Sequence, residues 1–480
     1  MTADATRPSG PAKGFGTTDD GSGITLGPCQ VNYSTADGTS IRSNGGFISL
    51  NGEGSDSTAT TSYITAGLAL CNGASINSGS GKQFLKGVAK AASNYSDGVF
   101  AAPWSFGGSV SLSSSNSSDD AATIYAVGPR DGYVSFGLLY QNTAAGGLVV
   151  QADSFMTNFS KLDFSSAGAF VIQPAGDSFS KDLSLVADIV VSSSAKRLEV
   201  GSTSNTSAIT VPSSAAKTIA GDMVFRASTF SSSSALTTTA ANGQILVVSD
   251  SVDVSANLAT TATSGVVTIA PRTSNRPFDL GSETSGRVSL TSAEINRVSA
   301  GTLRIGALNG SNSGNINITA AIAPTGVQTL ALRTSGSVES SGSGSITEVN
   351  LAISAAYINL QGNNSITGNL ALSSANATLN YNQISGLFTP ATVDQVTPEY
   401  GVATQIIMSQ VPVGTPVDAM MAVAFNPPPV ATLKDKFDNE LTTANSQSTS
   451  YTVTATKASG PGNLTGNAST TTSTRGVARF

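Results

Sequence analysis

Short runs in which apolar residues alternate with Ser, Thr, Asn or Arg fill most of this chain. The clearest are Ile245–Ser249, Val252–Ala256, Val266–Ala270, Val288–Ser292, Thr302–Gly306, Ile316–Ala320, Thr329–Arg333, Tyr357–Gln361, Asn369–Ser373 and Thr378–Asn382. A period of two is the signature of a strand with one buried face. Gly, Asn, Asp and Ser punctuate the chain every ten to fourteen residues, and the runs sit between these breaks. The period of 3.6 is nearly absent. One turn of helix is expected over Ser292–Val298, and a second modest helical candidate spans Gln83–Ala92.

Well over twenty strands fall between Gly21 and Leu387, too many for one sandwich. A parallel solenoid solves the count, because each strand stacks on its counterpart in the next coil and each coil needs only a small inward set. With ~24 residues per coil and ~4.8 Å between strands, this region predicts a rod on the order of 70 Å long. The inward set includes Ile245, Val247, Val252, Val254, Leu303, Ile305, Ile316, Ile318, Leu330 and Leu332. Asn44–Gly52 and Phe106–Leu112 repeat the style as a Gly turn followed by an alternating strand, which extends the solenoid back to residue 21. Residues 1–20, rich in Pro, Gly and Thr, read as a flexible segment available to a partner.

The pattern changes after residue 388. Residues 389–398 carry two prolines and read as a linker. Longer, more widely spaced strands follow at Ala403–Val411, Pro429–Asp435, Thr449–Lys457 and Gly476–Phe480, with a turn at Asp438–Asn439. Residues 399–480 therefore read as a separate β-sandwich module, incomplete at its C-terminal edge. Either the chain continues beyond Phe480, or a strand from a like subunit completes the sheet in a head-to-tail fibre.

Composition narrows the function. Of the 480 residues only 11% are charged and 6% are aromatic, yet 39% are hydrophobic, more apolar surface than a disordered chain carries. The chain has no His, which removes His-based triads and His-ligated metal sites, and no cofactor is expected. The net charge of −6 has no basic stripe, so nucleic acid is not an expected partner. No apolar run approaches the ~20 residues of a membrane span. An export signal is not visible in Met1–Gly16, so any such signal is expected outside this chain. The two cysteines, Cys29 and Cys71, pair in an oxidising compartment or stand as two unrelated buried thiols. Candidate N-glycosylation sequons begin at Asn32, Asn94, Asn116, Asn158, Asn205, Asn309, Asn317, Asn363, Asn376, Asn463 and Asn467, a number that so much Ser and Thr produces by chance. The acidic pairs Asp19–Asp20 and Asp119–Asp120 sit among turn residues. Neighbours on a strand point to opposite faces, so neither pair can flank one glycosidic bond.

Two stretches carry resemblances. Gly265–Arg272, Asp279–Gly281, Val288–Val298 and Gly301–Gly306 resemble the repeat region of filamentous-haemagglutinin-like bacterial adhesins. That resemblance implies a secreted, right-handed parallel β-helix. Ala431–Leu441, Ala455–Gly466 and Gly476–Phe480 are similar to bacterial immunoglobulin-like repeats of large surface proteins. The expectation is thus an all-β chain, a right-handed parallel β-solenoid followed by an Ig-like β-sandwich, acting outside the cell or on its surface. Its role would be a segment of a surface adhesin or a fibre subunit, with like subunits or cell-surface glycans and proteins as partners, and it would not be an enzyme. The alternatives are a polysaccharide-cleaving β-helix enzyme and a purely self-assembling filament protein.

Overall fold

Alternation along the chain becomes stacking in space. The computed structural model describes residues 12–15, 23–27, 39–54, 66–71, 73–90, 96–102, 110–308, 313–367, 370–373, 376–381, 405–410, 430–434, 452–454, 469–471 and 477–479. Fourteen strands form one face of a parallel stack. In order they are Ala12–Phe15, Ile48–Glu53, Gln83–Val88, Ala122–Val127, Leu148–Ala152, Ala169–Pro174, Arg197–Val200, Asp222–Arg226, Gln244–Val248, Val266–Ala270, Val298–Gly306, Val327–Arg333, Asn350–Ser354 and Leu370–Ser373. Each pairs in parallel with the next. At about 4.8 Å per step the stack is on the order of 60 Å tall. Shorter parallel strands supply the other faces of each coil. The chain is all-β, with long parallel sheets of the β-solenoid kind.

The register aligns apolar side chains in continuous rows. One row reads Leu50, Leu85, Ile124, Val150, Ile172, Val200, Phe225, Val247, Ile269, Ile305, Leu332 and Ile353, each opposite the next and all buried. All ten residues expected to face inward, from Ile245 to Leu332, are buried in the same core. A neighbouring row is interrupted by Gln83, whose Nε2 donates to Ser113 O at 2.6 Å while Oε1 has no partner. Aromatic rings fill part of the interior: Tyr140, Phe164 and Phe170 are fully buried and stack with centroids 5.6 and 5.0 Å apart.

The corner between the first coils' faces is built of glycines. A Cβ on Gly87 would lie 2.0 Å from the Gly98 carbonyl oxygen, and one on Gly52 would lie 2.0 Å from that of Gly67. Two backbones cross there at a distance that only glycine permits.

Two expectations change. Ala12–Phe15, placed in a free N-terminal segment, is a strand whose Ala12 sits opposite Leu50, so it forms the first rung of the stack. It therefore has a place in the fold and is not an untethered donor strand. Gln83–Val88, a helical candidate, is a strand between two rungs; pairing on both sides outweighs local propensity. The one expected helical turn is present, as Ser292–Ile295. In the C-terminal part, Gln405–Gln410, Val430–Lys434 and Val477–Arg479 pair antiparallel in that order. Thr452–Thr454 pairs antiparallel with Ser469–Thr471, a strand the sequence pattern does not reveal. The linker 389–398 and the turn at Asp438–Asn439 lie outside the described residues.

Candidate functional site: a polar cleft at an irregular coil

The stack is most regular between residues 222 and 270. Met223 lies opposite Ile245, and Ile245 opposite Val267, a step of 22 residues each time. The next step, from Val267 to Leu303, takes 36 residues. The extra chain makes two strands in place of one. Phe278–Gly281 forms first and pairs upward with Ile316–Ile318. The chain then turns out at Gly281 (φ +109°), runs through residues 282–287 and returns as Val288–Thr291. That strand pairs parallel with Phe278–Gly281 on its lower side and packs against Ser251–Val254. The chain thus skips a rung and comes back to fill it. Phe278, Leu280, Val288 and Leu290 are all buried, so the detour costs the core nothing.

The return strand ends in a capping box. Thr291 Oγ1 accepts from Glu294 N at 3.2 Å, and Glu294 Oε2 accepts from Thr291 N at 2.8 Å. Glu294 Oε1 accepts from Val254 N at 3.0 Å, which ties the detour to the coil below.

Outside this detour lies a cleft of about 310 Å³. Arg276, Glu283, Arg287, Ser251, Ser285 and Ser289 line it. The Arg276 Nη2 donates to Asp250 O at 3.3 Å, and its Nε is buried without a partner. The Arg287 Nη1 reaches Asp279 Oδ1 at 3.3 Å, and Asn317 Nδ2 donates to the same oxygen at 2.9 Å. The loop is braced by Ser289, whose Oγ accepts from Thr284 N at 3.0 Å and donates to Thr284 O at 3.0 Å. Desolvation, then the neighbouring charges of Glu294 and Asp253, holds the Glu283 carboxyl above its ordinary range. Two guanidinium groups and one carboxyl leave the lining cationic on a chain whose net charge is −6. Such a cleft can hold an oxyanion and accept hydrogen bonds from hydroxyls beside it.

The residues expected to matter lie elsewhere. Cys71 is buried at the end of the strand Leu68–Cys71 and is disulfide-bonded; Cys29 lies outside the described residues. Asp119 and Asp120 occupy a turn and pair with Lys196 at 2.5 Å and Lys82 at 2.7 Å, while Asp19–Asp20 lies outside the described residues. Among the sequons, Asn205 is fully buried, and its Nδ2 donates to Arg226 O at 2.8 Å, so the folded chain has no room for a glycan there. Asn116 Nδ2 donates to Ser80 O at 2.8 Å, and Asn317 is the Asp279 partner named above. Asn158, Asn363 and Asn376 lie on strands. Asn32, Asn94, Asn309, Asn463 and Asn467 lie outside the described residues. Sequence reasoning singled out neither Arg276, Glu283 nor Arg287. The available signal was the broken spacing, a polar run from Ser282 to Arg287 between two strands of one coil.

Among the described residues no helix is long and apolar enough to cross a membrane, and no cluster of three metal-ligating side chains occurs. Comparison with known protein families, with curated proteins and with solved structures finds no match. Fold and site therefore define a class only, an all-β chain with parallel sheets of the solenoid kind.

Proposed function

We propose that this chain is an extracellular rod, a structural and adhesive element of a cell surface or fibre. The observation that carries this reading is the unbroken fourteen-strand stack with its continuous apolar rows. Such a stack transmits rigidity through backbone hydrogen bonds along its whole length. The adhesin resemblance of residues 265–306 supports the same reading and implies a right-handed coil. The disulfide at Cys71 supports an oxidising compartment. Antiparallel pairing among 405–410, 430–434 and 477–479 supports an immunoglobulin-like C-terminal module. Its partners are cell-surface glycans or proteins, or like subunits.

Negative-stain electron microscopy of the purified chain tests the reading. Rods on the order of 60 Å or longer are expected, alone or joined end to end. Compact round particles of uniform diameter would overturn it.

One observation favours the enzyme reading, the Glu283 carboxyl beside a cleft. Its neighbour Glu294 argues against it, because both Glu294 oxygens accept backbone hydrogen bonds and serve the fold. A depolymerisation assay on acidic polysaccharides separates the two, with no cleavage expected.

A further inference from the structure

We infer that the cleft at the irregular coil is a binding site for the carboxylate of an acidic sugar. The inference deepens the adhesive reading by naming the chemistry of the ligand. Three observations lead to it.

The first is that the cleft has an origin. Between residues 222 and 270 each coil uses 22 residues and leaves a plain strand surface. The 36-residue step adds a braced loop held over that surface, and the cleft lies beneath it. The loop is fixed by its own hydrogen bonds, Ser289 to both Thr284 N and Thr284 O. Its shape is therefore present before a ligand arrives, which lowers the ordering cost of binding.

The second is a cationic donor in the lining. Arg276 lines the cleft, its Nη2 makes one long contact of 3.3 Å to Asp250 O, and its Nε is buried and is not part of the surface a ligand meets. A planar guanidinium in that position matches a carboxylate through two parallel hydrogen bonds. Arg287 is anchored from behind by Asp279 and supplies a second positive charge.

The third is the carboxyl of Glu283. An anion alone gains nothing from a carboxyl in its site. A ligand that carries both a carboxylate and hydroxyl donors is served by both halves of this lining, with the carboxylate at the arginines and the hydroxyls toward Glu283 and the serines. The volume of about 310 Å³ sits at the lower end of ligand pockets, roughly 300–1,000 Å³, and suits one sugar ring with its neighbours in solvent.

Calorimetric titration of the full chain with methyl glucuronide, methyl glucoside, acetate and glycine tests the inference. Methyl glucuronide should bind saturably, at least tenfold tighter than each of the other three, and more weakly as salt rises. Arg276→Gln and Arg287→Gln should each weaken it at least tenfold. Ser285→Trp, which keeps both arginines and fills the cleft mouth, should abolish it. Urea midpoints of the three variants should stay near that of the wild type, which separates loss of the site from loss of the fold. No saturable binding of the glucuronide would overturn the inference. So would binding that survives both arginine substitutions, or acetate or glycine binding as tightly as the glucuronide. A negative titration on a chain that still forms rods in the microscope removes the sugar site alone and leaves the rod reading standing.

Discussion

Residues 222–270 and residues 271–306 belong to one stack, yet they solve its geometry differently. In the first stretch each coil has three short strands, and tight corners join them: Ser249 N donates to Ala270 O at 2.9 Å, and Asp250 N to Ser228 O at 3.1 Å. In the second stretch the chain overshoots, returns and fills the skipped rung. Both stretches bury the same kinds of side chain in one continuous core. They differ in what reaches the surface. The regular coils expose alternating strand residues, whereas the detour exports a braced polar loop that carries Arg287 and shares a cleft with Arg276. The interior tolerates added chain so long as each added strand finds a rung, and surface chemistry collects where chain is added.

The comparison breaks first if the detour is a surface flap and not part of the core. Phe225, in the regular stretch, packs against Phe230 with centroids 5.0 Å apart and rings tilted by 41°, and is fully buried. Leu290, on the return strand, is equally buried. Phe225→Ala should cost about 3–5 kcal/mol and Leu290→Ala about 2–5 kcal/mol. Chemical denaturation followed by circular dichroism measures both. A loss below about 1 kcal/mol for Leu290→Ala would separate the detour from the core.

A buried polar group just before the regular stretch gives the next effect. Lys217 sits opposite Leu236 of the next coil, and its Nζ donates to Ile189 O at 2.7 Å and Val186 O at 3.2 Å. Burial pushes its ammonium down to about 8. The folded state then holds fewer protons than the unfolded state between pH 8 and 10.5, so this group makes stability rise with pH across that window. The change is roughly 3 kcal/mol, and Lys217→Met should remove that slope. Asp97 behaves oppositely. Its burial, partly offset by Arg130 with Nε 2.8 Å from Oδ1, raises its carboxyl to about 6. Stability from Asp97 is full below pH 3.8 and is lost as pH rises through 6. Urea midpoints measured across pH 4–10 on Lys217→Met and Asp97→Asn check both signs; parallel wild-type and variant curves would refute them.

A smaller effect tests the tie between the two stretches. Thr291→Ala removes the hydroxyl that caps the helical turn and one of the contacts to Glu294. The expected loss is about 1 kcal/mol, measured by thermal or urea unfolding. A change near zero would mean that the Glu294 contact to Val254 holds the turn unaided.

Most of the stack was legible because its code is short. A period of two identifies the inward residues, and stacking needs no further information, so Ile245, Leu303, Leu330 and their neighbours could be placed from the pattern alone. The N-terminal rung was not legible. Ala12–Phe15 is flanked by Gly and Pro, and only its pairing with Ile48–Glu53 makes it a strand. Gln83–Val88 misled for the same reason, since no local period specifies a strand that its neighbours impose. The cleft was hidden differently. Arg276, Glu283 and Arg287 are ordinary surface residues by type, and they meet because the order of two strands is inverted, a tertiary fact with no signature beyond a long step.

The smallest effect separates the two stretches most sharply. Four residues of Gly and Ser inserted between Ser285 and Gly286 lengthen the 282–287 loop from six residues to ten. Gly286 already adopts φ +81°, and a Cβ there would meet nothing within 4 Å, so this tip has space around it. The closure entropy for that lengthening is only about 0.5 kcal/mol. The strands on either side keep their pairing, because their register is set by Phe278 opposite Val288 and not by the loop. The same insertion between Ser249 and Asp250 meets a different corner. There the Ser249 Oγ donates to Ser228 O at 3.0 Å and Ser251 O at 2.7 Å, and Asp250 binds Thr273 N at 2.8 Å. The bonds to Ser228 and Thr273 fix the height of one coil on the next, and the bond to Ser251 holds the corner itself, so the added residues must break them or shift the strand beyond. The loss at the regular corner should exceed the loss at the loop severalfold in matched urea titrations. Equal losses would mean that the detour is held as tightly as the regular coils, and that its loop is a structural joint and not a surface built for contact.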